Sequence, residues 1–446
     1  MRKETNALSL FNASDLTEDV LYGIARKTRF VQRASGMIPV AKLLECICEA
    51  SAEGTVSYND LAARVHAVTG VRVSRQAYWE RINTDYCVAF FKTVLAKIMV
   101  QKLHQDGLVD LKNCTLFKRI LIHDSTIIKL PTKLYSIFSG VSNISTTVCN
   151  ARIQGVYDLC SGQFISFSID PYSKNDLSVA HQIEAQPGDL VLRDRGYFLI
   201  EAIGELKKGG VDTISRYKHP TVLYDPETKE EINLLQVLSC HGTVDRIVLS
   251  GKKKDIRLRL LATPISEELA NIRRMKAKKQ AKTYTPSQEL LQLMSWSIFL
   301  VTIESPVITV IHVMRLYRLR WRIENIFKTW KSYFCFDQLH HVSERQLSVL
   351  LTARLIIISL SYYGAYTPLY NAILLGINKQ LSLMKFMRYV QKNLAQLPQM
   401  LNPQQWTPVF LDAIGYYCSY DNRRRDHFID NLTSILAELE ILQPLA

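Results

Sequence analysis

The 446-residue sequence lacks the patterns that mark secreted, disulfide-rich and nucleotide-binding proteins. Its nine cysteines form no CxxC pair and no Cys/His spacing suited to zinc, so they indicate free thiols in a reducing cytosol. The first residues, MRKETNALSLFN, contain no apolar run long enough for a secretory signal. No segment matches GxxxxGKS or GxxxxGKT, the loop that cradles nucleotide phosphates. We therefore expect a cytoplasmic protein that needs no nucleotide cofactor.

Low-complexity segments are also absent, and only residues 347–375 are apolar enough to suggest a membrane span. Arg354 lies inside this stretch, and Tyr362, Gly364 and Pro368 interrupt it. A charged side chain at the centre of a bilayer is costly. We therefore interpret the stretch as a buried helix of a large domain and expect no membrane partner.

Acidic residues are outnumbered by basic ones, with 41 Asp and Glu against 55 Lys and Arg and a net charge of +14. This surplus favours a polyanionic partner such as nucleic acid, because each phosphate that is neutralised releases counterions. Many basic proteins have only a solvated basic surface, so charge alone does not decide the point. The hydrophobic content of 48% is that of a folded protein. The length indicates roughly two to four domains.

The N-terminal part has helical periodicity and contains a candidate helix-turn-helix. Ser57 and Ser74 are placed to cap two short helices, and Gly70 lies at the turn between them. The residues of the second helix that suit contacts with phosphates and base edges are Arg75, Gln76, Tyr78 and Arg81. A helical hairpin that packs inside its own domain fits the same pattern.

The pattern changes to strands at about residue 116. Buried strands are predicted within residues 116–130, 145–159, 163–170 and 189–194. A short helix is predicted near residues 176–184, between the last two of them. Several strands in series followed by alternating helix and strand predict an α/β core with a mixed sheet and helices packed on it.

Residues from about 218 to 310 combine β-prone segments with a basic helical stretch, and we interpret them as an insertion in this core. The cations of that stretch are Arg273, Arg274, Lys276, Lys278, Lys279 and Lys282. One long helix is predicted from Val310 to about Phe334. The chain after His341 is predicted to be helical, with a final amphipathic segment at 428–442.

The segment YRLRWRIENIFKTWK, at residues 317–331, has the most informative pattern of polar residues. At about 100° per residue it places a carboxylate and several cations on one face of a helix. This polar stripe consists of Tyr317, Arg320, Glu324, Lys328 and Lys331. Apolar residues on the opposite face, including Ile323 and Trp330, give the helix a side to bury. A surface helix with a solvated Arg320–Glu324 ion pair has the same pattern.

Two aspartates lie on predicted buried strands, Asp124 in ILIHDSTII and Asp194 at the end of DLVLRD. A buried carboxylate is costly unless it is paired or bound to metal. Strand-end capping or an ion pair explains each aspartate alone. Together with Glu324 they provide three hard oxygen ligands, which Mg²⁺ and Mn²⁺ prefer. His123 points to the other side of its strand, so we expect it to be structural.

The signature Y-x2-R-x3-E-x6-K is matched at all four positions, by Tyr317, Arg320, Glu324 and Lys331. In this segment the sequence resembles the cut-and-paste DDE transposases of bacterial insertion sequences. The contexts HDST around Asp124 and DRGYF around Asp194 are also similar to those of that family's acidic residues. The resemblance extends over most of the chain.

The resemblance implies a ribonuclease H-like catalytic core, interrupted by a mostly β insertion between Asp194 and Glu324, with helical N- and C-terminal domains. The interval of 130 residues between these two positions is long enough for such an insertion. The expected domains are a DNA-binding domain at 1–105, a catalytic domain at 106–345 with its insertion at about 218–310, and a helical assembly region at 346–446.

The resemblance also implies two ions, Mg²⁺ or Mn²⁺, held by Asp124, Asp194 and Glu324 for in-line phosphoryl transfer. Water attacks first, and the freed 3′-OH then attacks either the opposite strand, which forms a hairpin, or the target DNA. The expected partners are transposon-end DNA and target DNA, and a homodimer is expected to bridge two ends.

The other residues of the stripe are then expected to contact DNA, with Arg320, Lys328 and Lys331 on phosphates and Tyr317 on a phosphate or base. Further candidate DNA contacts are Arg75, Arg81, Arg216 and Trp296. Trp296 is expected to stack on a flipped base, although a tryptophan that anchors the insertion fits the same position. Two other functions stay open, a DNA-binding relative that does not cut and a ribonuclease H-like nuclease that does not rejoin.

Overall fold

The structure is a computed structural model. It describes residues 10–11, 16–33, 38–54, 56–102, 116–140, 148–240, 242–281, 285–304, 308–339, 342–421 and 428–441. Lys282, the last cation of the basic stretch, lies outside these residues.

Up to residue 102 the described chain is helical. The helices are α1 (Glu18–Lys27), α2 (Val40–Ala52), α3 (Tyr58–Thr69), α4 (Arg75–Ile82) and α5 (Asp85–Lys102). Ser57 and Ser74 cap α3 and α4 by accepting hydrogen bonds from backbone N–H groups, and Gly70 ends α3 at a φ of 72°. Both short helices predicted here are confirmed. The prediction that α4 presents Tyr78 is wrong, because Tyr78 packs into the core and Trp79 is the exposed aromatic residue.

Eight strands form one mixed sheet in the order β3-β2-β1-β4-β5-β8-β7-β6. They are β1 (Ile120–Lys129), β2 (Asn150–Asp158), β3 (Gln163–Pro171), β4 (Leu190–Arg193), β5 (Asp212–Arg216), β6 (Val244–Ser250), β7 (Ile256–Pro264) and β8 (Trp296–Val301). β4 runs parallel to β1 and to β5, and the other neighbouring strands are antiparallel. The predicted α/β core with a mixed sheet is confirmed.

Turns rather than the short helix predicted near residues 176–184 connect β3 to β4. The Asn175 side chain accepts a hydrogen bond from the Ser178 backbone N–H at 2.9 Å, and the Ser178 hydroxyl donates to the Asn175 carbonyl at 2.7 Å. The backbone N–H groups of Ser178, Ala180 and Gln182 donate to carbonyls three residues earlier, as in turns, and not four residues earlier as in an α-helix. The segment therefore forms successive turns instead.

The predicted insertion extends the core sheet, because its last strand, β8, pairs with β5. Helix α6 (Ile200–Lys208) lies between β4 and β5, and the insertion itself contains α7 (Leu234–Cys240), α8 (Glu267–Gln280) and α9 (Gln288–Leu293). The expectation of a mostly β insertion is therefore wrong, since helices and strands both contribute to it. The basic stretch forms α8, as predicted.

The helix predicted from Val310 to Phe334 is divided into α10 (Val310–Arg318) and α11 (Trp321–Tyr333). At the break, the backbone N–H groups of Leu319 and Arg320 bond to carbonyls three residues earlier, which tightens the turn. The side chain of Arg320 is held there by a partner on β1.

The rest of the described chain is helical, as predicted. Its helices are α12 (Glu344–Ser359), α13 (Thr367–Ile377), α14 (Leu383–Lys392), α15 (Leu397–Met400), α16 (Pro408–Cys418) and α17 (Phe428–Ile441), and π-helical turns at Leu360–Tyr366 join α12 to α13. Among the described residues, the continuous helix Glu344–Ile377 is the one that is long and apolar enough to cross a membrane, and it is buried inside the protein. Its Arg354 is 0% exposed and donates to the backbone carbonyl of Ser51, in the last turn of α2, and to that of Gly54, which follows the helix. The interpretation as a buried helix is confirmed.

One hydrophobic core joins the N-terminal helices, one face of the sheet and the C-terminal helices. Helix α11 contributes Phe327 and Trp330, whose rings contact Phe164 of β3. Gly155 of β2 makes this packing possible, because a Cβ atom there would lie 2.9 Å from the Phe164 ring and 3.2 Å from the Phe327 ring. Since Gly155 pairs with Asp124 across the sheet, α11 is held directly over that aspartate.

Candidate active site

Two aspartates lie at the same edge of the sheet, at the carboxyl ends of β4 and of the part of β1 that pairs with it. The parallel pairing of β1 with β4 ends at His123 and Arg193, one residue before Asp124 and Asp194. Ile122 and Leu192 are paired, so both aspartates project from the face of the sheet that α11 covers. Asp124 is buried, whereas 47% of the Asp194 side chain is exposed. His123 lies on the other face, packed on the Tyr197 ring, in line with a structural role.

The third carboxylate, Glu324, lies in the first turn of α11. Arg320 immediately precedes this helix and links all three acidic residues. Its Nη1 donates to Asp124 Oδ2 at 2.7 Å, and its Nη2 donates to Glu324 Oε1 at 2.6 Å and lies 3.7 Å from Asp194 Oδ1. The three carboxylates that the sequence separates by up to 200 residues therefore converge on one guanidinium group.

The environment of Asp124 disfavours its charged form. Burial raises the pKa of Asp124 to about 7, and the charges of Asp194 and Glu324 act in the same direction. Arg320 and the Ser125 backbone N–H, which donates to Asp124 Oδ1 at 2.8 Å, oppose this rise. Even with the guanidinium of Arg320 beside it, the carboxyl group therefore keeps its proton up to about pH 7.

The donor set fits a hard divalent cation, because it consists of three carboxylates at one edge of a sheet. Within the described ranges, however, no group of three or more His, Cys, Asp and Glu side chains is close enough to hold an ion. The guanidinium of Arg320 lies between the carboxylates instead. In this arrangement the guanidinium group occupies the space between the carboxylates where a divalent cation would lie.

Tyr317 lies in the last turn of α10 and is buried. Its hydroxyl donates to the Arg193 carbonyl at 3.1 Å, which ties the signature segment to the strand that precedes Asp194. The guanidinium carbons of Arg320 and Arg216 lie 5.8 and 5.9 Å from the centre of its ring. Tyr317 thus contacts the backbone of Arg193 and the side chains of Arg216 and Arg320.

The two lysines of the predicted stripe lie further along α11. Lys328 is exposed. Lys331 is half-buried, and burial lowers its pKa. The acidic centre, Lys328 and Lys331 therefore follow one another along the same helix, but no direct contact joins either lysine to the carboxylates in the described structure.

A basic cavity of about 270 Å³ lies where β5 ends and β8 begins. Arg216 and Trp296 line it together, although they are 80 residues apart. Arg195, the residue after Asp194, also lines it and donates two hydrogen bonds to the Tyr217 carbonyl, at 3.0 and 2.7 Å. No Asp or Glu is found among the described residues that line the cavity.

The sequence interpretation missed two arginines of this cavity, Arg195 and Arg273. Arg273 of α8 donates to the Trp296 carbonyl at 3.0 Å and so holds the start of β8. Burial lowers the pKa of Arg273, and Arg216 and Arg195 lower it further. The sequence could have indicated Arg195, because this residue directly follows Asp194. It could not have distinguished Arg273, because the neighbours of Arg273 in α8 are also basic.

The candidate contacts of the N-terminal part lie on α4. Arg75 is exposed at the start of the helix. Arg81 lies over the ring of Phe30, with its guanidinium carbon 4.5 Å from the ring centre. Both guanidinium groups are therefore at the surface of the N-terminal helices, on an element distinct from the acidic centre.

Comparison with known proteins decides the family of this chain. A family described as Transposase DDE domain matches residues 115–360, which include all three acidic residues and more than half of the sequence. The chain belongs to the DDE transposases. The members of this family of enzymes cleave DNA, and this transposase is one of those found in bacterial insertion sequences.

Relatives of this transposase are similar over nearly their full length. The transposase for insertion sequence element IS231E of Bacillus thuringiensis subsp. finitimus is 27% identical over 443 residues, which are 94% of this chain and 92% of the relative. The transposase for IS1151 of Clostridium perfringens is 28% identical over 406 residues, with 85% and 84% covered. A solved structure of piggyBac transposase, a synaptic complex with hairpin DNA, has a TM-score of 0.44 and 11% identity, and the match covers 96% of this chain and 88% of that one.

Proposed function

We propose that this transposase moves an insertion sequence by cut-and-paste transposition, with Asp124, Asp194 and Glu324 as its metal ligands and catalytic residues. The observation that carries the proposal is the convergence of these three carboxylates on Arg320. The guanidinium of Arg320 lies at the centre of the cluster. In the proposed function the same oxygens bind a divalent ion in its place. The strand order β3-β2-β1-β4-β5 supports a ribonuclease H-like core for this centre.

Two Mg²⁺ or Mn²⁺ ions at this centre supply activation of the attacking oxygen and stabilisation of the leaving oxygen in phosphoryl transfer. The chain's own residues bind and orient the DNA. Arg320 is a fork-shaped donor suited to a phosphate, and once it leaves the carboxylates it is free to bind the phosphate beside the scissile bond. Lys328 and Lys331 bind the phosphates that follow along α11.

The basic cavity is proposed to accept a base flipped from the DNA end during hairpin formation. Trp296 provides an aromatic surface on which any base can stack, worth about 1 to 3 kcal/mol. Arg216 lies between this cavity and Tyr317, so it is placed to bind the phosphate that connects the flipped base to the scissile bond. The 3′-OH then attacks the target DNA after the hairpin is opened.

The N-terminal helices are proposed to recognise the transposon end, with Arg75 and Arg81 of α4 as contacts. Two protomers are proposed to bridge two ends, in the cytoplasm. In this assignment the domains are 1–105 for end binding, 106–345 for catalysis and 346–446 for assembly.

The test is plasmid excision and integration with purified wild type and three variants, Asp124→Ala, Asp194→Ala and Glu324→Ala. Each variant is expected to lose cleavage in Mg²⁺ and to keep its affinity for the transposon end in a gel-shift assay. The exposed Asp412→Ala is the matched control and should cleave like wild type. Full cleavage by any of the three variants removes that residue from the site.

The same assay separates the two other functions. A DNA-binding relative binds ends but nicks none of them in any metal. A nuclease leaves 3′-OH ends that never join a second plasmid. Joined products from the wild type exclude both.

A further inference from the structure

The sheet does not fix the distance between the two catalytic aspartates. Backbone pairing between β1 and β4 ends one residue before each of them. Beyond that point β1 continues beside β2 as far as Lys129, whereas the chain after β4 turns into a single 3₁₀ turn at Arg195–Tyr197. Side-chain contacts therefore hold these two segments together, and Arg320 provides one of them.

Asp176, in the turns between β3 and β4, lies across this gap. Its Oδ1 accepts hydrogen bonds from Ser125 Oγ at 2.7 Å, Arg152 Nη1 at 2.8 Å and Gln154 Nε2 at 3.3 Å. Ser125 and Gln154 are paired across β1 and β2, so they project from the face of the sheet opposite Asp124. Asp176 thus binds to β1 on the face of the sheet opposite Asp124.

The same carboxylate contacts the segment that follows Asp194. A Cβ atom on Gly196 would lie 2.9 Å from Asp176 Oδ2, so only glycine allows this close approach without a shift. The next residue, Tyr197, donates a hydrogen bond from its hydroxyl to Gln154 Oε1. The segment after β4 is therefore attached to the β1–β2 pair through Asp176 and Gln154.

We propose that Asp176 is a positioning residue that sets the separation of Asp124 and Asp194, through Ser125 on one side and Gly196 on the other. Ser125 transmits the effect directly, because its backbone N–H donates to Asp124 Oδ1 at 2.8 Å. The inference rests on the proposed function, in which these two aspartates are metal ligands. Residues that orient metal ligands commonly change metal affinity or activity by about 10- to 100-fold when they are replaced.

Two other roles for Asp176 account for fewer of the contacts. A direct metal ligand would have to lie on the Asp124 face of the sheet, whereas the partners Ser125 and Gln154 lie on the other face. An ion pair with Arg152 that serves stability alone explains one of the three hydrogen bonds to Oδ1, but not the approach to Gly196.

The experiment measures Mn²⁺ binding without DNA by electron paramagnetic resonance, together with kcat and KM for cleavage of a transposon end. Asp176→Ala is expected to weaken Mn²⁺ binding and to lower kcat by about 10- to 100-fold with KM unchanged. Asp176→Asn keeps an oxygen that accepts from Ser125, so it should recover part of both losses. Glu184→Gln, an exposed carboxylate in the same connection, is the control and should match wild type.

Ser125→Ala tests the contact of Asp176 with β1, and Gly196→Ala tests its contact with the segment after β4. These two variants replace Asp176→Ala in the experiment if Asp176→Ala does not fold. Because Asp176 is proposed to act through Ser125, the losses of Ser125→Ala and Asp176→Ala should not add in the double variant. A folded Asp176→Ala with wild-type Mn²⁺ affinity and kcat overturns the inference, even if urea unfolds it more easily. If Asp124→Ala binds Mn²⁺ and cleaves the transposon end as well as wild type does, the proposed function itself has failed.

Discussion

The guanidinium of Arg320 lies 2.7 Å from the buried carboxylate of Asp124, across 196 residues of sequence. The same group bonds to Glu324 at 2.6 Å, so one arginine partly neutralises the acidic centre from within. In the proposed function a divalent ion is bound by the same oxygens. Arg320 and the metal then compete for one position, and we propose that DNA relieves the competition when a phosphate draws Arg320 away.

Replacement of Arg320 should strengthen metal binding and weaken catalysis. Without DNA, Arg320→Ala is expected to bind Mn²⁺ about tenfold more tightly, which corresponds to roughly 1.4 kcal/mol, because the competing cation is gone. Cleavage should fall, since the phosphate loses its donor. Arg320→Lys should lie between, and the exposed Arg318→Ala should resemble wild type in both calorimetric Mn²⁺ titration and cleavage. An unchanged Mn²⁺ affinity in Arg320→Ala would mean that no competition exists.

The stability of the metal-free protein should depend on pH through Asp124. Its pKa is about 7 in the folded protein and ordinarily 3.8, so the folded state keeps a proton that the unfolded chain loses between these values. The free energy of unfolding therefore falls as pH rises from 4 to 7. Asp124→Asn has no such proton, so its stability relative to wild type should rise over this window, by at most about 4 kcal/mol. Urea unfolding in EDTA at pH 4 and pH 8 measures this, and Asp412→Asn should show no trend.

Local chemistry made part of this structure predictable. Ser57, Ser74 and Gly70 cap and end their helices through neighbours a few residues away, so sequence patterns sufficed. The strands around Asp124 and Asp194 were equally visible, because buried strands read as apolar runs.

Long-range contacts explain what sequence patterns missed. The break before α11 lies at a residue whose side chain is held by Asp124 on β1, and helical periodicity carries no record of that partner. The role inferred for Asp176 depends on the folded positions of Ser125 and Gly196. Tyr78 and Trp79 differ by one position on a short helix, so a small error in the expected orientation placed the buried ring of Tyr78 at the surface.

Gly155→Ala should destabilise the protein and disturb the active site. The new Cβ would lie 2.9 Å from the Phe164 ring and 3.2 Å from the Phe327 ring, so α11 or its neighbours must shift. Overpacking of this kind costs about 1 to 3 kcal/mol, and a shift of α11 carries Glu324 away from Asp124. Both the free energy of unfolding measured with urea and the rate of Mg²⁺-dependent cleavage should therefore fall. Gly23→Ala on α1 meets nothing within 4 Å and should be neutral or slightly stabilising; equal behaviour of the two variants would contradict this account.

The exposed side of α4 should determine affinity for the transposon end. Arg75 is exposed at its first position and Trp79, 41% exposed, lies one turn later on the same side, so a cation and an aromatic ring are presented together. Arg75→Ala is expected to weaken end binding uniformly across sequences and to reduce the slope of log K against log salt by about 1, the effect of one lost phosphate contact. Trp79→Ala should weaken binding with little change in that slope, because the ring is uncharged.

Tyr78→Phe is the matched control, since this buried hydroxyl has no hydrogen-bond partner in the described structure and its loss should leave affinity unchanged. Fluorescence anisotropy with labelled end DNA over a series of salt concentrations distinguishes these outcomes. If Arg75→Ala and Trp79→Ala both bind like wild type, the end is recognised elsewhere.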